Sequence, residues 1–217
     1  MKYKSIVVTK HGGLEALQIV ENELRPPAAG EARIRVLASP VCQDDVAIRM
    51  GNRPFLKKPP FVPGYACIGT VEALGPEASG VSVGDRVAAL TQFGSHAEVL
   101  YWDANQLVQV PESIDPGEAA PLILNYLVAY QVMKRVVHAK AGDRALLVGA
   151  SGGVGTAFLQ LGKVFGLKIY GLASPSKHSL LVDNGAIPID YHKQDVVKEI
   201  CGLEPGGLDF VFNGMGE

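Results

Sequence analysis

The chain has 217 residues, 47% hydrophobic and 19% charged, the composition of an ordinary globular protein of one or two domains. A formal net charge of −2 leaves no electrostatic case for nucleic acid or an anionic membrane surface as partner. No apolar stretch approaches the roughly 20 residues that cross a bilayer, Met1-Lys2-Tyr3-Lys4 leads into an alternating segment without a signal-peptide pattern, and Cys42, Cys67 and Cys201 have no paired spacing, so a cytoplasmic protein without membrane insertion is expected.

The first half reads as β-structure. Lys4 to Val8 opens it, and Ala32 to Val36 alternates apolar and charged residues as a half-solvated strand does. A short helix is expected from Asp44 to Met50. Strands follow at Gly69 to Leu74, Asp85 to Leu90, His96 to Leu100 and Gln106 to Val110, most of them separated by Gly or Pro, as in a compact barrel or sandwich. The character changes near Pro111. Asp115-Pro116-Gly117-Glu118 carries a helix-start signal, with Asp as cap, Pro first and Glu third. Tyr126, Ala129, Tyr130, Met133 and Val137 then share a helical face, and Pro121 divides the helix in two. From Ala145 strands and helices alternate, with strands near 145, 169, 187 and 209, which predicts a parallel sheet with crossover helices. The domains are therefore expected at 1–114 and 115–217. A doubly wound dinucleotide fold has about six strands, so the four legible here point to a sheet continued beyond this chain.

Ala145-Leu146-Leu147-Val148-Gly149 is continuously apolar, as a strand buried on both faces should be. Val154, Ala157, Phe158, Leu161 and Phe165 then recur at helical spacing. Between them lie Ala150, Ser151, Gly152, Gly153, Val154 and Gly155. A glycine-rich turn from strand to helix gathers backbone N–H groups and the positive helix end at one point, where a pyrophosphate docks.

With Pro63-Gly64 before Gly69-Thr70-Val71-Glu72, then Val83-Gly84-Asp85-Arg86-Val87, Asn125-Tyr126-Leu127-Val128-Ala129-Tyr130 and the glycine turn, the sequence resembles the medium-chain dehydrogenase/reductase superfamily, in its zinc-independent quinone oxidoreductase (zeta-crystallin-like) branch. The resemblance runs along essentially the whole chain. It implies an α/β protein with an N-terminal GroES-like β domain carrying the substrate cleft, followed by a doubly wound Rossmann domain for NADPH that is truncated after its fourth strand. It also implies a longer full-length chain, which in relatives commonly forms a homodimer.

An NAD-preferring fold ends its second strand in an acidic residue that holds the ribose hydroxyls. Here Ile169 to Leu172 runs into Ala173-Ser174-Pro175-Ser176-Lys177, with no carboxylate to repel a 2′-phosphate. Ser174 offers a hydrogen bond and Lys177 a positive charge, and both match the family's 2′-phosphate contacts, as does Tyr191. The competing reading has Ser174 cap the following helix and Lys177 as a solvated first-turn residue. The resemblance further places Asn213 near the nicotinamide ribose and Asn125 against the nicotinamide, where a buried helix-entry role competes.

Zinc-dependent relatives hold a catalytic metal through Cys, His and a third ligand. Cys42 stands at the first position, but Tyr65-Ala66 replaces the His-Glu pair and Leu122-Ile123-Leu124-Asn125 offers no thiolate. Catalytic zinc needs three protein ligands, so no metal is expected. Cys42 falls where zinc-free relatives often have Asn, Asp45 matches their Asp, and Ala47 replaces a tyrosine common in their cleft. Tyr65 is a candidate for supplying a hydroxyl in its place, with packing as the competing role. The expected activity is metal-free hydride transfer from NADPH to a small-molecule quinone or α,β-unsaturated carbonyl, with Cys42, Asp45, Tyr65 and Asn125 as candidate catalytic residues. The alternatives are an enoyl-thioester reductase of the same superfamily and a crystallin- or vesicle-type homologue that binds NADPH without turnover.

Overall fold

Alternating segments in the first half build two antiparallel sheets. The structure is a computed structural model that describes residues 1–53 and 57–215. β1 (Lys2–Val8) pairs with β2 (Leu17–Glu23). The second sheet has the order β6-β3-β4-β5-β7, from β3 (Glu31–Ala38), β4 (Ala66–Leu74), β5 (Arg86–Leu90), β6 (Val99–Asp103) and β7 (Val108–Gln109). Its inward residues Ile34, Cys67, Val71, Val87 and Leu100 form one core cluster. β2 has no counterpart in the sequence reading: its last three residues are Glu21-Asn22-Glu23, poor strand formers, and none of its side chains is fully buried. The strand expected from His96 begins only at Val99, because β1 takes its first residues. Ile6 N donates to His96 O at 2.9 Å and Glu98 N to Lys4 O at 2.8 Å.

α1 (Gln43–Arg49) starts with a capping box in which Cys42 N donates to Asp45 Oδ2 at 2.9 Å. The same carboxylate, buried, receives Gly64 N on Oδ1 at 2.9 Å and so ties the helix start to the Pro63-Gly64 turn. α2 (Pro116–Ala119) is capped by Asp115, whose Oδ1 accepts Gly117 N at 2.8 Å. It ends before Pro121, as a proline requires. Ala119 and Ala120 pack against Ile68 and Ala88. That contact keeps the segment with the β sheet, and the two compact units, Met1–Leu124 and Asn125–Glu217, part after Leu124 and not at the change of composition near 114.

The boundary falls inside a π-helical turn, Leu122–Tyr126, which leads into α3 (Leu127–Gln131) of the second unit and is followed by a second π-helical turn, Val132–Val136. The sheet that follows is wholly parallel, in the order β10 (Ile187–Ile189), β9 (Lys168–Leu172), β8 (Arg144–Val148), β11 (Phe210–Asn213). α4 (Gly153–Phe165), α5 (His178–Asp183) and α6 (Val196–Leu203) make the crossovers. α4 turns Ala157 and Phe158 inward onto Leu147 and Ile169, with Phe158 stacked on Phe212 at 4.8 Å between ring centroids. Strand order reverses between β8 and β11, and ligands of open parallel sheets bind beyond the carboxyl ends of the strands at such a point. Among the described residues no helix is long and apolar enough to cross a membrane.

At the opposite end of these strands Glu204 receives Lys168 Nζ at 2.7 Å and the Tyr170 hydroxyl at 2.5 Å, while Arg144 pairs with Asp209 at 3.0 Å. Lys168, with the Tyr170 hydroxyl beside it, holds the Glu204 carboxyl below its ordinary value of 4.5. A carboxylate with a depressed folded pKa stabilises the fold above its unfolded value and loses that contribution as pH falls through the folded one. The unfolding midpoint should therefore drop as pH is lowered below 4.5. Glu204→Gln should be less stable at neutral pH and show a shallower acid drop in denaturant titrations at several pH values. At α1, Asp45→Ala removes both the cap and the tether to Gly64, and urea unfolding should show a loss of about 2–4 kcal/mol.

Candidate functional site

β8 ends at Val148, and the chain turns through Gly149 to Gly152 with Gly152 N bonded to Gly149 O at 3.0 Å. Gly152 caps α4 in an extended conformation (φ −77°, ψ 174°) and has no side chain to offer. The N–H groups of Gly153, Val154 and Gly155 therefore have no intrahelical acceptor, and no side chain caps them. Three donors and the positive end of a 13-residue helix converge beyond the carboxyl end of the central strand. Two glycines make the convergence possible. A Cβ on Gly155 would collide with Gly149 O and lie 2.7 Å from the Ala150 carbonyl carbon, so only glycine lets the helix start this close to the turn. A Cβ on Gly153 would lie 2.7 Å from Asn125 Nδ2, which places the Asn125 side chain against the turn. Ala150 is fully buried beneath it, and Ser151 and Val154 are half-buried. Asn213 ends β11 in register with Val148, and Gly214 N donates to Val148 O at 3.1 Å. The structure thus gathers Ala150–Gly155, Asn125 and Asn213 at one end of the sheet.

At the tip of β9, Ser174 accepts Lys177 N on its backbone oxygen at 2.9 Å, closing a short turn. The Ser174 hydroxyl makes no cap bond. It lies 3.2 Å from the Ser176 hydroxyl, a second donor that the sequence reading passed over although the Ser-Pro-Ser spacing carries it. Lys177 is exposed and makes no ion pair among the described residues. Tyr191, just past β10, is exposed and packed ring to ring with His192 at 4.1 Å. The neighbouring carboxylate, Asp190, is buried and accepts His192 N at 3.0 Å. Two hydroxyls and an ammonium past β9, a phenol past its neighbour β10 and free amides past β8 fit the phosphates of a dinucleotide.

The remaining candidates cluster in the first unit. Cys42 Sγ donates to Asp45 Oδ2 at 3.2 Å, and burial, with the Asp45 charge adding to it, pushes the thiol up to about 12. At neutral pH it is a neutral thiol and a poor nucleophile. Asp45 spends both oxygens on backbone amides and that thiol, which makes it a structural tether. Tyr65 lies half-buried beside Val8, Ile48 and Phe61, its ring 6.5 Å from Phe93. Burial raises its hydroxyl's pKa. His11, His96, His138 and His178 each place a ring nitrogen on a backbone carbonyl. Among the described residues no group of three His, Cys, Asp or Glu side chains is placed to hold a metal ion.

Residues 28–112 match the alcohol dehydrogenase GroES-like domain. The chain is 34% identical over 217 residues to the synaptic vesicle membrane protein VAT-1 homolog of Danio rerio, a match covering 99% of this chain and 45% of that protein. It spans about half the length of the vesicle-protein relatives it matches. The crystal structure of the quinone oxidoreductase from Pseudomonas syringae pv. Tomato DC3000 superposes with a TM-score of 0.92 at 32% identity, covering 99% of this chain and 67% of that one. A mycobacterial protein solved as a complex with NADPH gives a TM-score of 0.90 at 31% identity, with coverage of 99% and 67%. A GroES-like sheet, a parallel sheet with a glycine turn at its switch point, and relatives whose similarity extends over nearly the whole chain agree. The chain belongs to the zinc-independent quinone oxidoreductase branch of the medium-chain dehydrogenase/reductase superfamily.

Proposed function

We propose that this chain carries the substrate and cofactor residues of a zinc-independent, NADPH-dependent, cytoplasmic reductase of quinones or α,β-unsaturated carbonyls. The observation that carries the reading is the pairing of two donor sets on one sheet. Uncapped amides of Gly153, Val154 and Gly155 lie in the turn past β8, and Ser174, Ser176 and Lys177 lie past β9 without a carboxylate among them. The first set suits a pyrophosphate and the second a 2′-phosphate. When bound, NADPH would supply the hydride. Asn125, resting against Gly153, would orient the carboxamide end, and Asn213 would flank the ribose through the backbone after β11. The NADPH complex of a 31% identical structure supports the same cofactor. Reduction of an electron-poor acceptor suits this site because it needs orientation and a hydrogen-bond donor, with no metal to acidify an alcohol.

A second reading, NADPH binding without turnover, draws support from Cys42 being a neutral thiol and from the vesicle-protein relatives. NADPH consumption with 1,4-benzoquinone and with 2-cyclohexen-1-one separates the two: oxidation with either acceptor supports the reductase, and tight binding with neither oxidised supports the carrier.

Lys177→Ala tests the cofactor assignment. By fluorescence titration NADPH should bind about tenfold or more weakly, the worth of one charge-assisted contact. NADH should change by less than about twofold, since it has no phosphate at that position. Equal losses for both nucleotides would remove Lys177 from the 2′-phosphate site.

A further inference from the structure

Past β9, a phosphate on the ribose of a bound nucleotide would meet side-chain donors whose backbone surroundings are already occupied. Ala173 is the first residue after the strand, where an NAD-preferring fold has its carboxylate. It is buried, its N donates to Ile189 O at 3.2 Å, and its O accepts from His178 Nε2 at 3.1 Å. Ser174 O is taken by Lys177 N at 2.9 Å. Past the adjoining β10, Asp190 is also buried, with Oδ1 on His192 N at 3.0 Å, so its carboxylate is committed within its own turn.

What remains are groups on rotatable stems. The hydroxyls of Ser174 and Ser176 lie 3.2 Å apart, and the Lys177 ammonium is exposed, with no ion pair among the described residues. A lysine is a point charge on a flexible four-carbon stem, whereas an arginine fork would match one phosphate orientation. Hydroxyls rotate to suit their acceptor. Such a set recognises a phosphate on the ribose edge but holds no fixed contact that tells the 2′-oxygen from the 3′-oxygen beside it. On the same parallel sheet, the amides of Gly153, Val154 and Gly155 past β8 suit any 5′-pyrophosphate. Selecting one isomer needs a group that pairs with the right one or rejects the wrong one, and Ser174, Ser176 and Lys177 do neither.

We propose that this nucleotide site also takes adenosine nucleotides bearing a 5′-pyrophosphate and a ribose 3′-phosphate, the headgroup of coenzyme A, and that coenzyme A competes there with NADPH. The proposal rests on the cofactor reading above, with the pyrophosphate on the α4 amides and the ribose phosphate on Ser174, Ser176 and Lys177. The two ligands share the adenosine and the 5′-pyrophosphate and differ in which ribose oxygen carries the phosphate. Lys177 reaches either position by rotating its stem. The consequence is regulation by mass action: coenzyme A occupies the site in proportion to its concentration and raises the NADPH level needed to fill it.

Calorimetric titration of the full chain tests this without turnover, using adenosine 2′,5′-bisphosphate, adenosine 3′,5′-bisphosphate, coenzyme A and dephospho-coenzyme A. Coenzyme A should bind within about tenfold of adenosine 2′,5′-bisphosphate. Dephospho-coenzyme A, which lacks the 3′-phosphate, should bind about tenfold or more weakly than coenzyme A, the worth of one charge-assisted contact. In Lys177→Ala that difference should shrink below about threefold. Dephospho-coenzyme A should bind the variant and the unmutated chain alike, which shows that the variant is folded. Added coenzyme A should raise the apparent Kd for NADPH in linear proportion, read by NADPH fluorescence. Adenosine 3′,5′-bisphosphate binding as well as coenzyme A supports the 3′-phosphate as the recognised group, and weaker binding supports coenzyme A, through its pyrophosphate, as the ligand. Equal binding of coenzyme A and dephospho-coenzyme A, a difference that survives Lys177→Ala, or a ternary complex with NADPH overturns the proposal. Binding of adenosine 2′,5′-bisphosphate without coenzyme A overturns this proposal alone, whereas failure of both adenosine 2′,5′-bisphosphate and NADPH to bind overturns the cofactor reading beneath it.

Discussion

The close approach of α4 to the end of β8 is the constraint on which the cofactor-binding half depends. The first helical turn starts at Gly153, and Gly155 lies so near Gly149 O that any side chain there would push the helix away from the strand. Moving it outward would carry off the three uncapped amides and open a gap beneath Ala150, which is fully buried. Close packing and anion binding thus require the same residue. The cost of leaving helix N–H groups without internal partners is tolerable because Gly152 and Gly153 are exposed, so water or a phosphate satisfies them.

Sequence patterns revealed most of what the backbone does and much less of what side chains do to each other. The parallel sheet was legible because strands buried on both faces are continuous in apolar residues, and its four strands lie where they were expected. β2 was not, since a strand with no fully buried side chain has no apolar alternation to betray it. The unit boundary lay past the composition change because Ala119 and Ala120 are small residues whose packing on Ile68 has no local signature. At the candidate site, the Gly-rich turn announced itself by spacing. The tether made by Asp45 depended on Gly64, and the placing of the 63–65 turn on Thr91, contacts between distant segments that spacing alone does not carry.

The same geometry divides labour among residues that look alike as candidates. Cys42, Asp45 and Tyr65 all carry groups able to move protons, yet burial treats them differently. The thiol is driven far above neutrality, so it stays protonated and contributes a cap. Asp45 has its lone pairs occupied by backbone amides, so it sets the position of the Pro63-Gly64 turn. Tyr65 is only partly buried, its ring beside Phe93, and burial raises its hydroxyl's pKa. Hydrogen-bond bookkeeping, more than residue type, marks Cys42 and Asp45 as scaffold.

A parallel sheet also separates stability from function along its own strands. At the amino ends of β8 and β9, Arg144 and Lys168 face Asp209 and Glu204, and these four charges pair within 4 Å. At the carboxyl ends the donors are left open: amides at α4, hydroxyls at Ser174 and Ser176, an ammonium at Lys177. Donors of one character crowded together repel an added cation and attract an anion, so they weaken the fold slightly when empty. The paired charges at the far end offset that weakness without competing for the ligand, because they sit a full strand length away. Placing both sets at one end would let Glu204 or Asp209 neutralise Lys177, and the affinity for a phosphate would be lost to an internal ion pair.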